Sequence, residues 1–139
     1  MLRFRQLFRG WRHPLPLGQR GELAAARYLK RLGYTVLARG QRDRIGEIDL
    51  VAVDGRTLVF VEVKTRRNHD AGSPSEAVDA AKQRQLTRAA LSYLRRHDLL
   101  EQRARFDVIA ITWPVSSARP TVEHFKNAFE PTDVGQFFS

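Results

Sequence analysis

In the stretch GEIDLVAVDGRTLVFVEVKTR, from Gly46 to Arg66, the charged residues Glu47, Asp49, Glu62 and Lys64 stand among aliphatic and aromatic neighbours. A carboxylate left unpaired in such surroundings costs several kcal/mol or stays protonated. A divalent ion or a tight charge cluster removes that penalty. Asp49 and Glu62, with no histidine or cysteine beside them, offer oxygen ligands only, which suits Mg²⁺ or Mn²⁺ better than zinc. Such an ion can hold a phosphodiester oxygen and acidify a water, and a neighbouring lysine can orient that water or neutralise charge developing on phosphorus. The competing reading of Glu62 and Lys64 is an ordinary ion pair near a strand end, worth less than about 1 kcal/mol.

These side chains must be brought together by two strands. In LVFVEVK, Leu58, Phe60, Glu62 and Lys64 share one face and Val59, Val61 and Val63 the other, so the strand belongs in a sheet interior. The Asp54-Gly55 pair marks a hairpin. Asp49 shares a face with Glu62 if the turn holds two or four residues; a regular three-residue turn would point it away. Around the hairpin, Glu22, Ala25, Ala26, Leu29 and Leu32 form the inner stripe of a helix over 18–32, stopped by Gly33. Tyr34 to Ala38 reads as a strand, and Arg39 to Gly46 as an arginine-rich connection. Ser73, Pro74 and Glu76 suggest a capped helix start. That helix would run to His97 with an inner stripe through Val78, Lys82, Leu86, Ala89, Ala90 and Tyr93, where Lys82 interrupts the apolar face. Further strands are expected at Arg105 to Trp113 and Thr121 to Lys126. Helix, three strands, helix, two strands is an α/β pattern whose sheet must be mixed, because the hairpin is antiparallel and the strand–helix–strand crossover parallel.

The 139 residues suit one domain, expected over 18–130, between a basic arm (1–17) and a tail (131–139). No apolar run reaches the ~20 residues of a membrane span, and the basic start MLRFRQLFRGWRHP lacks the core of a secretory signal, so a cytoplasmic protein without a transmembrane segment is expected. The arm, with aromatics between its arginines, could lie on phosphates, on anionic lipid or on its own domain. Zero cysteines exclude disulfides, thiolate metal sites and thiol nucleophiles. A net charge of +9 points to a polyanionic partner, nucleic acid first and DNA within that class. Only four of the 24 basic residues are lysines, so Lys64 and Lys82 run against the chain's habit.

Asp49 followed by Glu62-Val63-Lys64 resembles the PD-(D/E)xK core of restriction-endonuclease-like nucleases, with Ile48 where the motif's name has proline. The segments GQRGELAAARYL, GEIDLVA, LVFVEVKTR, AVDAAKQRQL and RFDVIAI are together similar to the YraN-like family of small bacterial proteins. The resemblance implies a restriction-endonuclease-like three-layer sandwich, a mixed central sheet of about five strands flanked by helices. It implies a Mg²⁺- or Mn²⁺-dependent DNA endonuclease, with Asp49, Glu62 and the Val63 carbonyl on the metal and Lys64 at the water. Extended to archaeal Holliday-junction resolvases, it adds Glu22 as a further active-site carboxylate, branched DNA as a substrate, and a homodimer as the form suited to cutting a junction. Glu22 could equally be a first-turn acid complementing the helix dipole. Lys82, Arg66 and Arg44 are the expected phosphate contacts, although Lys82 could equally snorkel to solvent. Glu47 and Asp107 read as rim or structural ion-pair residues, and His13, His69, His97 and His124 show no metal-ligand spacing. A module that keeps the fold, binds nucleic acid and cuts nothing is the alternative.

Overall fold

The computed structural model describes residues 15–68, 78–114 and 119–132. Helix α1 (Leu17–Arg31) leads into strands β1 (Thr35–Arg42), β2 (Glu47–Asp54) and β3 (Thr57–Arg66), helix α2 (Ala80–Arg96), and strands β4 (Ala104–Thr112) and β5 (Thr121–Phe129). The sheet order is β1-β2-β3-β4-β5. All neighbours are antiparallel except β3 and β4, which α2 connects as a parallel crossover. The expected α/β architecture with a mixed sheet is therefore present. Among the described residues, no helix is long and apolar enough to cross a membrane.

Each face of the sheet carries its own core, which makes three layers. Leu86, Ala89, Ala90, Tyr93 and Leu94 of α2 pack on Val51, Leu58, Phe60, Phe106 and Val108. Ala25, Ala26 and Leu29 of α1 pack on Leu50, Ala52, Val59, Val61, Ile109 and Ile111. Strand β3 is central and apolar on both sides because its alternate residues supply both cores.

Helix α1 ends where Gly33 adopts φ +94°, which a β-carbon would disfavour. Gly33 N–H donates to the Lys30 carbonyl and Tyr34 N–H to the Leu29 carbonyl, both at 3.0 Å, closing the helix in a Schellman arrangement. Leu32, expected on the inner stripe, is instead the C-cap and half exposed. Strand β1 continues through Arg42, so the expected polar connection shrinks to residues 43–46. An edge strand needs no apolar face along its length, and β1 also carries an irregularity between Val36 and Ala38 that ordinary alternation hides. Helix α2 starts at Ala80: Asp79 is extended and its Oδ1 accepts the Lys82 N–H at 2.8 Å, the geometry of an N-cap. Val78 is buried but precedes the helix, and the Ser73-Pro74-Glu76 signal lies outside the described residues, as do residues 1–14 of the arm and 133–139 of the tail.

Candidate active site

The β2–β3 hairpin turns on two residues, Gly55 and Arg56, between paired Asp54 and Thr57. Counting along this register puts Asp49 level with Glu62, one of the two alignments that let them share a face. Regular pairing nevertheless stops at Leu50 and Val61. Ile48 and Leu50 are both buried, yet Ile48 joins the α2 core and Leu50 the α1 core, which an unbroken two-residue alternation forbids. The inversion falls at Asp49. With β2 and β3 separating there, the Val63 N–H donates to Asp49 Oδ2 at 2.8 Å, a side chain standing in for a strand partner.

Several elements converge on this point. Gly21, in the second turn of α1, lies so close to Thr65 of β3 that a β-carbon there would clash with the Thr65 side chain. This contact holds the start of α1 over the end of β3 and sets the next residue, Glu22, over β1 and β2, its Oε1 3.9 Å from where a β-carbon of Gly40 would lie. The connection ahead of β2 is anchored on α2: Asp43 Oδ2 accepts from Ser92 Oγ at 2.6 Å and faces Arg96 at 3.5 Å. Asp43 Oδ1 also accepts the Ile45 and Gly46 N–H groups. Together these hold the Asp43 carboxyl below the usual range.

Glu22, Glu47 and Asp49 each present a carboxylate oxygen within 4.8 Å of the others. Glu62, only 5 % exposed, is within hydrogen-bonding reach of Asp49. Its Oε2 faces Lys64 Nζ at 3.4 Å and Lys82 Nζ at 3.5 Å. Burial, and then the Glu62 charge, push the Asp49 carboxyl up to about 8, against the Val63 N–H, which favours the ionised form. Burial also raises Glu22, with Glu47 adding to the effect and Arg39 opposing it. Burial first, and crowding by neighbouring carboxylates second, thus favour the protonated form of Asp49. A hard divalent cation would relieve the same crowding, and the all-oxygen donor set of Asp49, Glu22, Glu47 and Glu62 fits one.

The structure therefore gathers Glu22, Asp49, Glu62, Lys64 and Lys82. Arg44 is exposed on the connection between β1 and β2. Arg66 ends β3, its carbonyl accepting the Trp113 N–H at 2.9 Å. Neither is placed on the carboxylates by any of these contacts. Glu47 is the residue that sequence reasoning undervalued. It does pair with Arg42 at 3.0 Å, as an ion-pair residue should, yet it is also a member of the acidic cluster. Strict alternation, the signal that would group residues two apart, is interrupted at Asp49, so it could not mark Glu47.

Asp107 is fully buried and structural, as its sequence position suggested. It accepts from Arg105 at 2.9 Å and from the Asn127 N–H at 3.0 Å, and meets His124 Nε2 at 2.7 Å. His124 Nδ1 lies 3.1 Å from Tyr28 Oη, so a proton on Nε2 satisfies both contacts.

Two helices enclosing a mixed five-stranded sheet, with an oxygen-rich cluster where its second and third strands part, define an α/β three-layer protein with a candidate cation site. Residues 21–111 match the Uncharacterised protein family UPF0102, and the chain belongs to that family, the YraN-like family. It is 54 % identical over 121 residues to a UPF0102 protein of Geobacter sulfurreducens, covering 87 % of this chain and 94 % of the relative. A UPF0102 protein of Rhodopirellula baltica is 50 % identical over 125 residues, 88 % of this chain and 75 % of its own. One from Rhodococcus opacus is 46 % identical over 117 residues, 84 % and 98 % respectively. The restriction-endonuclease-like resemblance agrees with this membership and with the sheet.

Proposed function

We propose that the protein is a divalent-metal-dependent endonuclease that hydrolyses phosphodiester bonds in DNA, branched DNA included. The observation that carries this reading is the meeting of Glu22, Glu47 and Asp49 within 4.8 Å, with Glu62 against Asp49 and two lysines against Glu62. Asp49, Glu22, Glu47 and Glu62, with the Val63 carbonyl, would hold Mg²⁺ or Mn²⁺, which when bound supplies Lewis acidity toward a phosphoryl oxygen and an acidified water. The chain's own groups do the rest. Lys64, about one-third exposed, presents its ammonium at the solvent edge, where it can hold the attacking water or meet charge growing on phosphorus. Lys82 reaches the same carboxylate from α2, and its ammonium is placed to meet a substrate phosphate at the site. Asp49 is anchored by the Val63 N–H, so its free oxygen keeps a fixed direction.

The two lysines also support a second reading. They balance Glu62 with no cation present, as a binding module that cuts nothing would require. One experiment separates the two: incubation with linear, flap and four-way DNA in Mg²⁺ or Mn²⁺, beside Lys64→Ala and Asp49→Asn. The endonuclease reading expects cleavage by the native chain, a loss of at least about a hundredfold in both variants, and binding changed by only a few fold. Binding of all three forms with no cleavage by any would establish the module instead.

A further inference from the structure

Gly21 separates two different surfaces at the start of α1. Glu22 turns toward β1, β2 and the carboxylate cluster, whereas Arg20 turns toward the β4–β5 side of the same face, its guanidinium 4.6 Å over the ring of Trp113. From there a groove of about 820 Å³ follows the outer side of α1 toward β5. Arg20, Arg27, Arg31 and Arg119 line it, together with Trp113 and Val122, and its lining includes no acidic residue among the described residues. Arg20, Arg27 and Arg31 are spaced i, i+7 and i+11. At 100° per residue all three fall within about 20° of one line along the helix, at steps of roughly 10 Å and 6 Å.

We infer that this groove binds a single strand of nucleic acid flanking the bond to be cut. The inference rests on the nucleic-acid reading of the site and adds a second surface to it. The row of guanidinium groups matches a phosphate backbone in sign and in direction. The Arg20 guanidinium, backed by the buried ring of Trp113, supplies a flat cationic face on which an unpaired base can lie, an arrangement suited to single strands because their bases are accessible. A duplex keeps its bases in the stack and would offer this concave surface only phosphates. A comparable row on α2, Arg84, Arg88 and Arg95 beside Ile45, is lined by no aromatic side chain among the described residues, which makes it the internal control.

Trp113 reports occupancy directly. The chain has two tryptophans, so Trp11→Phe leaves Trp113 as the only indole. In that background, in EDTA so that nothing is cut, a 12-residue oligothymidylate should change Trp113 emission saturably. Arg27→Ala with Arg31→Ala should weaken binding at least tenfold and lower the salt slope by about 1.4, since each contact to a single strand contributes about 0.7. Arg84→Ala with Arg88→Ala should leave affinity within twofold. The inference is overturned by no emission change at saturating strand, by an equal loss in the α2 pair, by a hairpin duplex binding as tightly with the same arginine dependence, or by a response to phosphatidylglycerol vesicles alone. The readout needs no catalysis. Cleavage without a Trp113 response would reject the groove and keep the endonuclease, and a Trp113 response without cleavage would do the reverse.

Discussion

Asp49 is where the chemistry of the site is most exposed to test. Its carboxyl titrates near 3.8 when the chain is unfolded and near 8 when folded, because burial and Glu62 both disfavour its charge. Between those values the unfolded state holds fewer protons than the folded one, so unfolding releases a proton and stability falls as pH rises through the window. Without divalent ions the melting temperature should therefore drop more between pH 5 and pH 8 in the native chain than in Asp49→Asn. The same substitution should stabilise the metal-free protein at pH 8 by about 1–3 kcal/mol, since an amide keeps an acceptor for the Val63 N–H without adding a charge. Added Mn²⁺ should then raise the melting temperature of the native chain and not of the variant. Equal pH slopes in the two proteins would show that Asp49 ionises normally and that the carboxylates are not crowded. Lys64 and Lys82 touch one oxygen of Glu62 from different elements, and their roles should part. Losing Lys64 should remove cleavage, whereas losing Lys82 should mainly raise the DNA concentration needed for half-maximal rate, checked by steady-state kinetics of the two alanine variants.

At the scale of elements, the site depends on how closely α1 approaches β3. Gly21→Ala forces a methyl group into the Thr65 side chain, and overpacking of this kind costs about 1–3 kcal/mol. The helix should respond by lifting, which carries Glu22 away from Asp49. Chemical denaturation should show the loss, and Thr65→Ala added to Gly21→Ala should recover part of it, whereas two independent sites would simply add. The same elements show what a sequence can reveal. The hairpin register was readable because Asp-Gly favours a tight turn and because only even turns bring Asp49 to Glu62. The end of α1 was readable because Gly33 is the residue that tolerates a positive φ. The swap of Ile48 and Leu50 between cores was not, since alternation is the very rule that breaks there, and with it went the weight owed to Glu47. A helix running unbroken from Ser73 was expected, but Val78 and Asp79 are not helical and Asp79 caps α2, while the Ser73 signal itself lies outside the described residues. Asp79 satisfies the local chemistry of a helix start, and α2 from Ala80 is enough to bury Leu86, Ala89 and Tyr93 on the sheet. The arginine-rich end of β1 looked like a loop because an edge strand can be polar on both sides and still pair.

For the molecule as a whole, two neighbouring groups of buried charge place opposite demands on pH, Asp107 being paired with Val61, next to Glu62. Carboxylates crowd together where β2 and β3 part, whereas Asp107 is a buried anion surrounded by donors on the α1 face. Burial alone would raise the Asp107 carboxyl, but hydrogen bonds from His124, Arg105 and the Asn127 backbone hold it below its usual value. Arg105 continues from Asp107 to Asp54 at 3.0 Å and Tyr34 at 2.9 Å, and His124 to Tyr28. One carboxylate thus joins β2, β4 and β5 to α1 and to the residue after its C-terminal turn. Since its folded value is depressed, its contribution is present above about pH 4 and is lost as pH falls through the folded value. Asp107→Asn turns an amide toward Arg105, His124 and the Asn127 N–H and leaves the partly buried guanidinium with Asp54 as its remaining carboxylate, a loss that costs about 1–3 kcal/mol. At pH 7 the variant should therefore unfold at lower denaturant than the native chain. As pH is lowered below 4 the two stability curves should converge, because the native carboxyl is then protonated as well. The cluster around Asp49 should behave in the opposite sense, its cost vanishing in acid. A gap between native and Asp107→Asn stabilities that stays constant from pH 7 to pH 3 would mean that the network holds the layers by shape alone and not by charge.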